Sequence, residues 1–118
     1  MTKIVSSLLS LALTVIAFES CDKYQKGYDC TGNIPTYNND IKAIYDLNCA
    51  ISGCHNAQYH ASGIDLSTYS GAASANSDAI LGSVEHSSGY SAMPKNASKL
   101  TDSQIKKIYC WMQNNKPL

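Results

Sequence analysis

Apolar residues in this chain come in short bursts separated by long polar runs, and three bursts keep a helical period. The first is Ile41, Ile44 and Tyr45, whose i, i+3, i+4 spacing predicts a helix over about 39–48, capped by Asn38 or Asn39. The second is Ile80, Leu81 and Val84, on a helix from Ser77 or Asp78 to His86 that breaks at Ser87, Ser88 and Gly89. The third is Ile105, Ile108, Tyr109 and Met112. There Thr101 with Gln104 three residues on forms a capping box, so a helix runs from Asp102 to about Asn114, before Pro117. Between 56 and 77 Ser, Ala and Gly dominate, with Ile64, Leu66 and Tyr69 the sizeable apolar groups, which predicts loop with a short helical turn. Residues 22–37 have no helical period and contain Gly27, Gly32 and Pro35, the pattern of a tether and an extended lead-in. Nothing alternates as a strand does, and there is no internal repeat or phosphate-binding Gly loop, so the expected fold class is all-α.

The N-terminus follows different rules. Lys3 precedes the uncharged stretch Ile4 to Phe18, and Glu19, Ser20 and Cys21 come next, the order of an export signal. The apolar stretch is 15 residues long, short of the roughly 18 that a membrane-spanning helix needs. Cys21 after the small Ser20 resembles the cleavage box of bacterial lipoproteins, although Phe18 and Glu19 depart from that box. The resemblance implies a lipoprotein-type signal peptide over 1–20, a tether and lead-in over 21–36 and a folded domain over 37–118. It also implies lipidation of Cys21, which would hold the exported protein on the periplasmic or outer face of a bacterial membrane. Ordinary cleavage nearby, with Cys21 free or paired, is the alternative.

Charge narrows the function. Nine Lys balance nine acidic residues and there is no Arg, so a phosphate-reading surface has little to work with and nucleic acid is excluded as a partner. Lys95, Lys99, Lys106 and Lys107 cluster locally, which reads first as a solvated face and second as a surface that orients a redox partner. A chain of 118 residues buries a modest core, and a covalent staple or a bound group is expected to supplement it.

The five cysteines supply both possibilities. Cys49-Ala50-Ile51-Ser52-Gly53-Cys54-His55 is a CxxxxCH segment, two residues longer than the CxxCH of c-type haem attachment. Two thiols can each add to a vinyl group of a porphyrin, and a histidine directly after the second brings an imidazole to the iron. Ser52 and Gly53 give the longer loop its freedom to bulge. A structural disulfide between Cys49 and Cys54, or a zinc site completed by His55 with His60 or His86, competes with this reading. If Cys21 is lipidated and Cys49 and Cys54 hold haem, Cys30 and Cys110 remain as a pair, the alternative being two buried free thiols.

The order of these features resembles the small monohaem cytochromes c, in particular short lipoprotein-like bacterial forms. The likeness covers Tyr37 to Trp111: a helix into Cys49, Cys54 and His55, then Gly63-Ile64-Asp65-Leu66 with Tyr69, a loop with Met93-Pro94, and a closing helix with Thr101, Ile105 and Trp111. It implies three to four short helices around one covalently bound haem c, with His55 the proximal iron ligand and Met93 the distal one. A neutral imidazole and a soft thioether suit iron to electron transfer. His60 and His86 read as solvent-facing, either serving as sixth ligand should Met93 not. Tyr45, Tyr109, Trp111 and Met112 read as packing residues. The expected function is that of a monomeric, exported electron carrier and not an enzyme, meeting redox proteins and, through Cys21, a membrane. A haem peroxidase or gas-binding protein and a haem-free, disulfide-bonded lipoprotein are the alternatives.

Overall fold

The computed structural model describes residues 26–118; the expectations for 1–20 and for Cys21 lie outside them. Among the described residues there are four α-helices and no strand, so the domain is all-α. The chain opens with a π-helical turn, Tyr37–Ile41, that runs directly into α1, Lys42–Asn48. The cap of this unit is Thr36, not Asn38 or Asn39: its hydroxyl accepts from Asn39 N at 3.4 Å. The wider π turn starts the helix earlier than the apolar spacing indicates, because Tyr37 is itself a buried apolar position two turns before Tyr45.

After α1 come a 3-10 turn, Ala61–Gly63, and the short α2, Tyr69–Ser74, which Thr68 caps by accepting from Gly71 N at 3.2 Å. Helix α3, Ser77–Val84, is capped by Asn76, whose Oδ1 accepts from Ala79 N at 2.9 Å. It stops two residues short of His86, which takes a left-handed backbone with φ of 55°. Helix α4, Asp102–Gln113, begins with the reciprocal Thr101 and Gln104 capping box. Its end is set before Pro117, by the left-handed Asn115 and Lys116.

The three apolar bursts meet in one core. Helix α4 lies against both the π turn and α3, and Ile41, Tyr45, Leu81, Ile105, Ile108 and Trp111 are fully buried. Trp111 stands between the two tyrosines of the opening helix, with ring centroids 6.4 Å from Tyr45 and 6.2 Å from Tyr37. Its indole N–H donates to the Pro117 carbonyl at 2.8 Å, which folds the C-terminal tail back over the core. Met112 is buried in the same cluster.

Residues 26–36 contain no helix or strand, yet they are fastened to the body. Cys30 and Cys110 form a disulfide, with Cα atoms 5.4 Å apart across a sequence separation of 80. The Tyr28 ring packs on Tyr109 at 5.4 Å and its hydroxyl donates to Glu85.

Candidate functional site

Three elements converge on one cavity. The C-terminal end of α1 presents Cys49, whose N–H closes the last turn onto Tyr45 O at 2.8 Å. The following loop then doubles back, with Cys54 N bonded to Ile51 O at 3.0 Å and His55 N to Cys49 O at 3.0 Å. Gly53 makes this reversal with φ of +79°, a backbone region that a side chain disfavours. From the other side, the loop after α3 brings Met93, whose N–H donates to Ser83 O at 3.0 Å.

The cavity has two lobes, of about 270 Å³ and 330 Å³. Cys49, His55, Ser62, Met93 and Lys95 line both. Cys54 and Ile51 add to the first, while Tyr45, Ile64, Leu66, Ile80, Val84 and Tyr90 wall the second. The structure therefore gathers Cys49, Cys54, His55 and Met93 around one largely apolar space, although Met93 lies 38 positions beyond His55 in the chain. A larger polar groove, about 700 Å³, opens beside the disulfide, but none of these four residues lines it.

The chemistry of the lining is specific. Cys49 and Cys54 are free thiols, not bonded to one another. Burial, with the neighbouring Cys54 adding to it, pushes the Cys49 thiol up to about 12, so it stays protonated at neutral pH. The Nδ1 atom of His55 is buried without a hydrogen-bond partner, as is the Tyr45 hydroxyl. Burial raises the Tyr45 phenol well above its ordinary value. The Tyr37 hydroxyl, away from the cavity, is the third buried side-chain polar atom without a partner among the described residues.

The remaining candidates are placed elsewhere. His60 is exposed with Nε2 3.9 Å from an Asp65 carboxylate oxygen. His86 is exposed and holds the Met93 carbonyl at 3.1 Å through Nε2. Neither lines the cavity. Among the described residues no three His, Cys, Asp or Glu side chains are grouped to hold a metal ion, so the zinc set of Cys49, Cys54, His55 and His60 or His86 is not assembled. The lysine cluster is divided: Lys99 pairs with Glu85 at 2.7 Å, Lys107 with Asp40 at 2.8 Å, and Lys95 stands at the cavity. Tyr90, Ser62 and the Glu85 clamp have no motif in the sequence. Comparison of the chain with family models, with curated proteins and with solved structures gives no match.

Proposed function

We propose that the chain is a small monohaem c-type cytochrome, exported and lipid-anchored through Cys21, that carries single electrons between redox proteins. The observation that carries this reading is the convergence of two free thiols, an imidazole and a thioether on one apolar cavity. That donor set fits haem c. Cys49 and Cys54 would each add S–H across a vinyl group, an addition that needs no oxidant. His55 would supply the proximal nitrogen and Met93 the distal sulfur, a pairing that raises the reduction potential. Haem bound in this way supplies a one-electron iron couple. The protein's own contribution is to hold the two ligands and exclude water: Ile64, Leu66, Ile80 and Val84 wall the second lobe. Burying apolar porphyrin surface there would also supplement a core assembled from few large side chains.

The deciding experiment is a pyridine haemochrome spectrum after export in a host with cytochrome c maturation proteins. The expected result is one haem per chain with the absorption of two saturated vinyl groups, and loss of covalent attachment in the Cys49→Ser/Cys54→Ser variant. A mature protein without a Soret band, and with two alkylatable thiols at 49 and 54, would overturn the reading in favour of a haem-free lipoprotein. Binding of carbon monoxide or peroxide by the native ferrous or ferric form would instead favour a gas-binding protein or peroxidase.

A further inference from the structure

Helix α3 carries a glycine in the middle of its apolar face. Gly82 is fully helical and buried, and Ala at such a position is the better helix former. What requires glycine is an approach from outside the helix. A Cβ on Gly82 would lie 2.5 Å from Cδ2 and Cγ of Tyr90 and 2.6 Å from Cδ1, so the ring rests directly on bare backbone. Such contacts are about 1 Å inside normal van der Waals separation, and the ring could not stay.

Tyr90 belongs to the same loop as Met93, and that loop is tied to the helix beside the same glycine. Ser87 N donates to Gly82 O at 2.9 Å, Tyr90 N to Ser87 O at 3.2 Å and Met93 N to Ser83 O at 3.0 Å. Tyr90 and Met93 both line the second lobe, facing a cavity that His55 also lines. We propose that Gly82 and Tyr90 position Met93: the Tyr90 ring seats on the Gly82 backbone and holds the loop so that the Met93 sulfur is presented to the cavity. The seat concerns the chain alone, while the role of Met93 as iron ligand rests on the cytochrome reading above. Gly82 and Tyr90 are positioning residues and need touch no iron.

The test compares Gly82→Ala in two backgrounds, with Tyr90 present and with Tyr90→Ala. In the haem-free, disulfide-bonded protein, Gly82→Ala alone is expected to speed hydrogen exchange of the Met93 amide by about tenfold and to lower the thermal midpoint. In the Tyr90→Ala background the same substitution is expected to raise the midpoint, because only the helix preference for Ala remains. In the ferric holoprotein, Gly82→Ala is expected to remove the methionine-to-iron charge-transfer band while covalent haem content stays at one per chain. An unchanged Met93 amide, or an equal fall in midpoint in both backgrounds, would overturn the seat. A wild-type protein that takes up no haem would instead refute the cytochrome reading, with the exchange and midpoint comparisons still deciding the seat.

Discussion

Tyr28, in the lead-in, donates its hydroxyl to Glu85 at the end of α3, joining the first described segment to the helix that walls the cavity. The same carboxylate takes Lys99 at 2.7 Å and Lys26 at 3.3 Å, and the Glu85 side chain is 4% exposed. Burial by itself works against the charged carboxylate. Hydrogen bonds from Lys99, Tyr28 and Lys26 outweigh it and pull the group from 4.5 down to about 2.

Because the folded value lies below the unfolded one, this cluster stabilises fully above the ordinary carboxylate range and is lost as pH falls from about 4.5 through about 2. The expected loss over that window is on the order of 2 kcal/mol, less than the whole shift implies because both lysines are partly in solvent. Glu85→Gln should lower stability at pH 7 and flatten the profile between pH 4.5 and 2. Urea unfolding at a series of pH values measures both effects, and parallel wild-type and Glu85→Gln profiles would exclude the clamp.

The disulfide gives a second prediction. Cys30 and Cys110 close a loop with a sequence separation of 80, for which the chain-entropy model gives about 4.5 kcal/mol, with real proteins often showing less. The double variant Cys30→Ser/Cys110→Ser should therefore unfold at markedly lower temperature while keeping its helix content when cold. Alkylation of the unreduced wild type followed by mass measurement should find neither Cys30 nor Cys110 labelled. Labelling of both would show the pair to be open.

Three of the four α-helices were legible in the sequence because their apolar residues keep the helical period, whereas α2 showed only as a short turn and the cap of the opening helix lies at Thr36, not Asn38 or Asn39. Thr101 and Gln104 define the start of α4 without reference to anything else. The π turn was not legible, since its first buried residue, Tyr37, depends on Trp111 and Tyr69 from distant elements for its packing. At the cavity, Cys49, Cys54 and His55 are close in sequence and could be read as a unit. The fastening of the lead-in was legible in part: Cys30 and Cys110 stood out as a pair and are bonded, whereas the Tyr28–Glu85 contact spans 57 positions and neither residue belongs to a periodic pattern. Gly82 was not legible either: a glycine inside a helical pattern only lowers helix preference, and the Tyr90 ring that requires it comes from a separate loop.

The loop between the thiols makes a third prediction. Gly53 has φ of +79° and nothing within 4 Å of where a Cβ would stand, so any penalty on substitution is conformational and not steric crowding. Gly53→Val should cost about 1–2 kcal/mol, and Gly53→Asn distinctly less, because asparagine visits the left-handed region more readily. If the loop has to hold this reversal for both thiols to attach, covalent haem yield should fall in the same order. Equal stability and yield in the two variants would show that the reversal is not required.

Met93 and Met112 provide the sharpest contrast within one residue type. Met93 is half-buried, lines both lobes with His55 and sits in a loop held by Ser83 and His86. Met112 is 8% exposed and lies on the core face of α4, away from the cavity lining. Truncating a buried methionine removes packing and leaves a void, so Met112→Ala should cost about 2–5 kcal/mol and, if the proposed haem is bound, leave its iron environment as it was. Met93→Ala removes little core packing. On the cytochrome reading proposed above, it should lower the reduction potential, abolish the methionine-to-iron charge-transfer band and admit added imidazole or cyanide to the iron. Spectra of the two ferric variants at a temperature where both are folded separate these outcomes. Retention of the band in Met93→Ala, or its loss only in Met112→Ala, would remove Met93 from the ligand set. Because His60 and His86 both lie outside the cavity lining, a histidine ligand in its place would require the loop or the 3-10 turn to move, which changed amide exchange at Met93 or Gly63 would reveal.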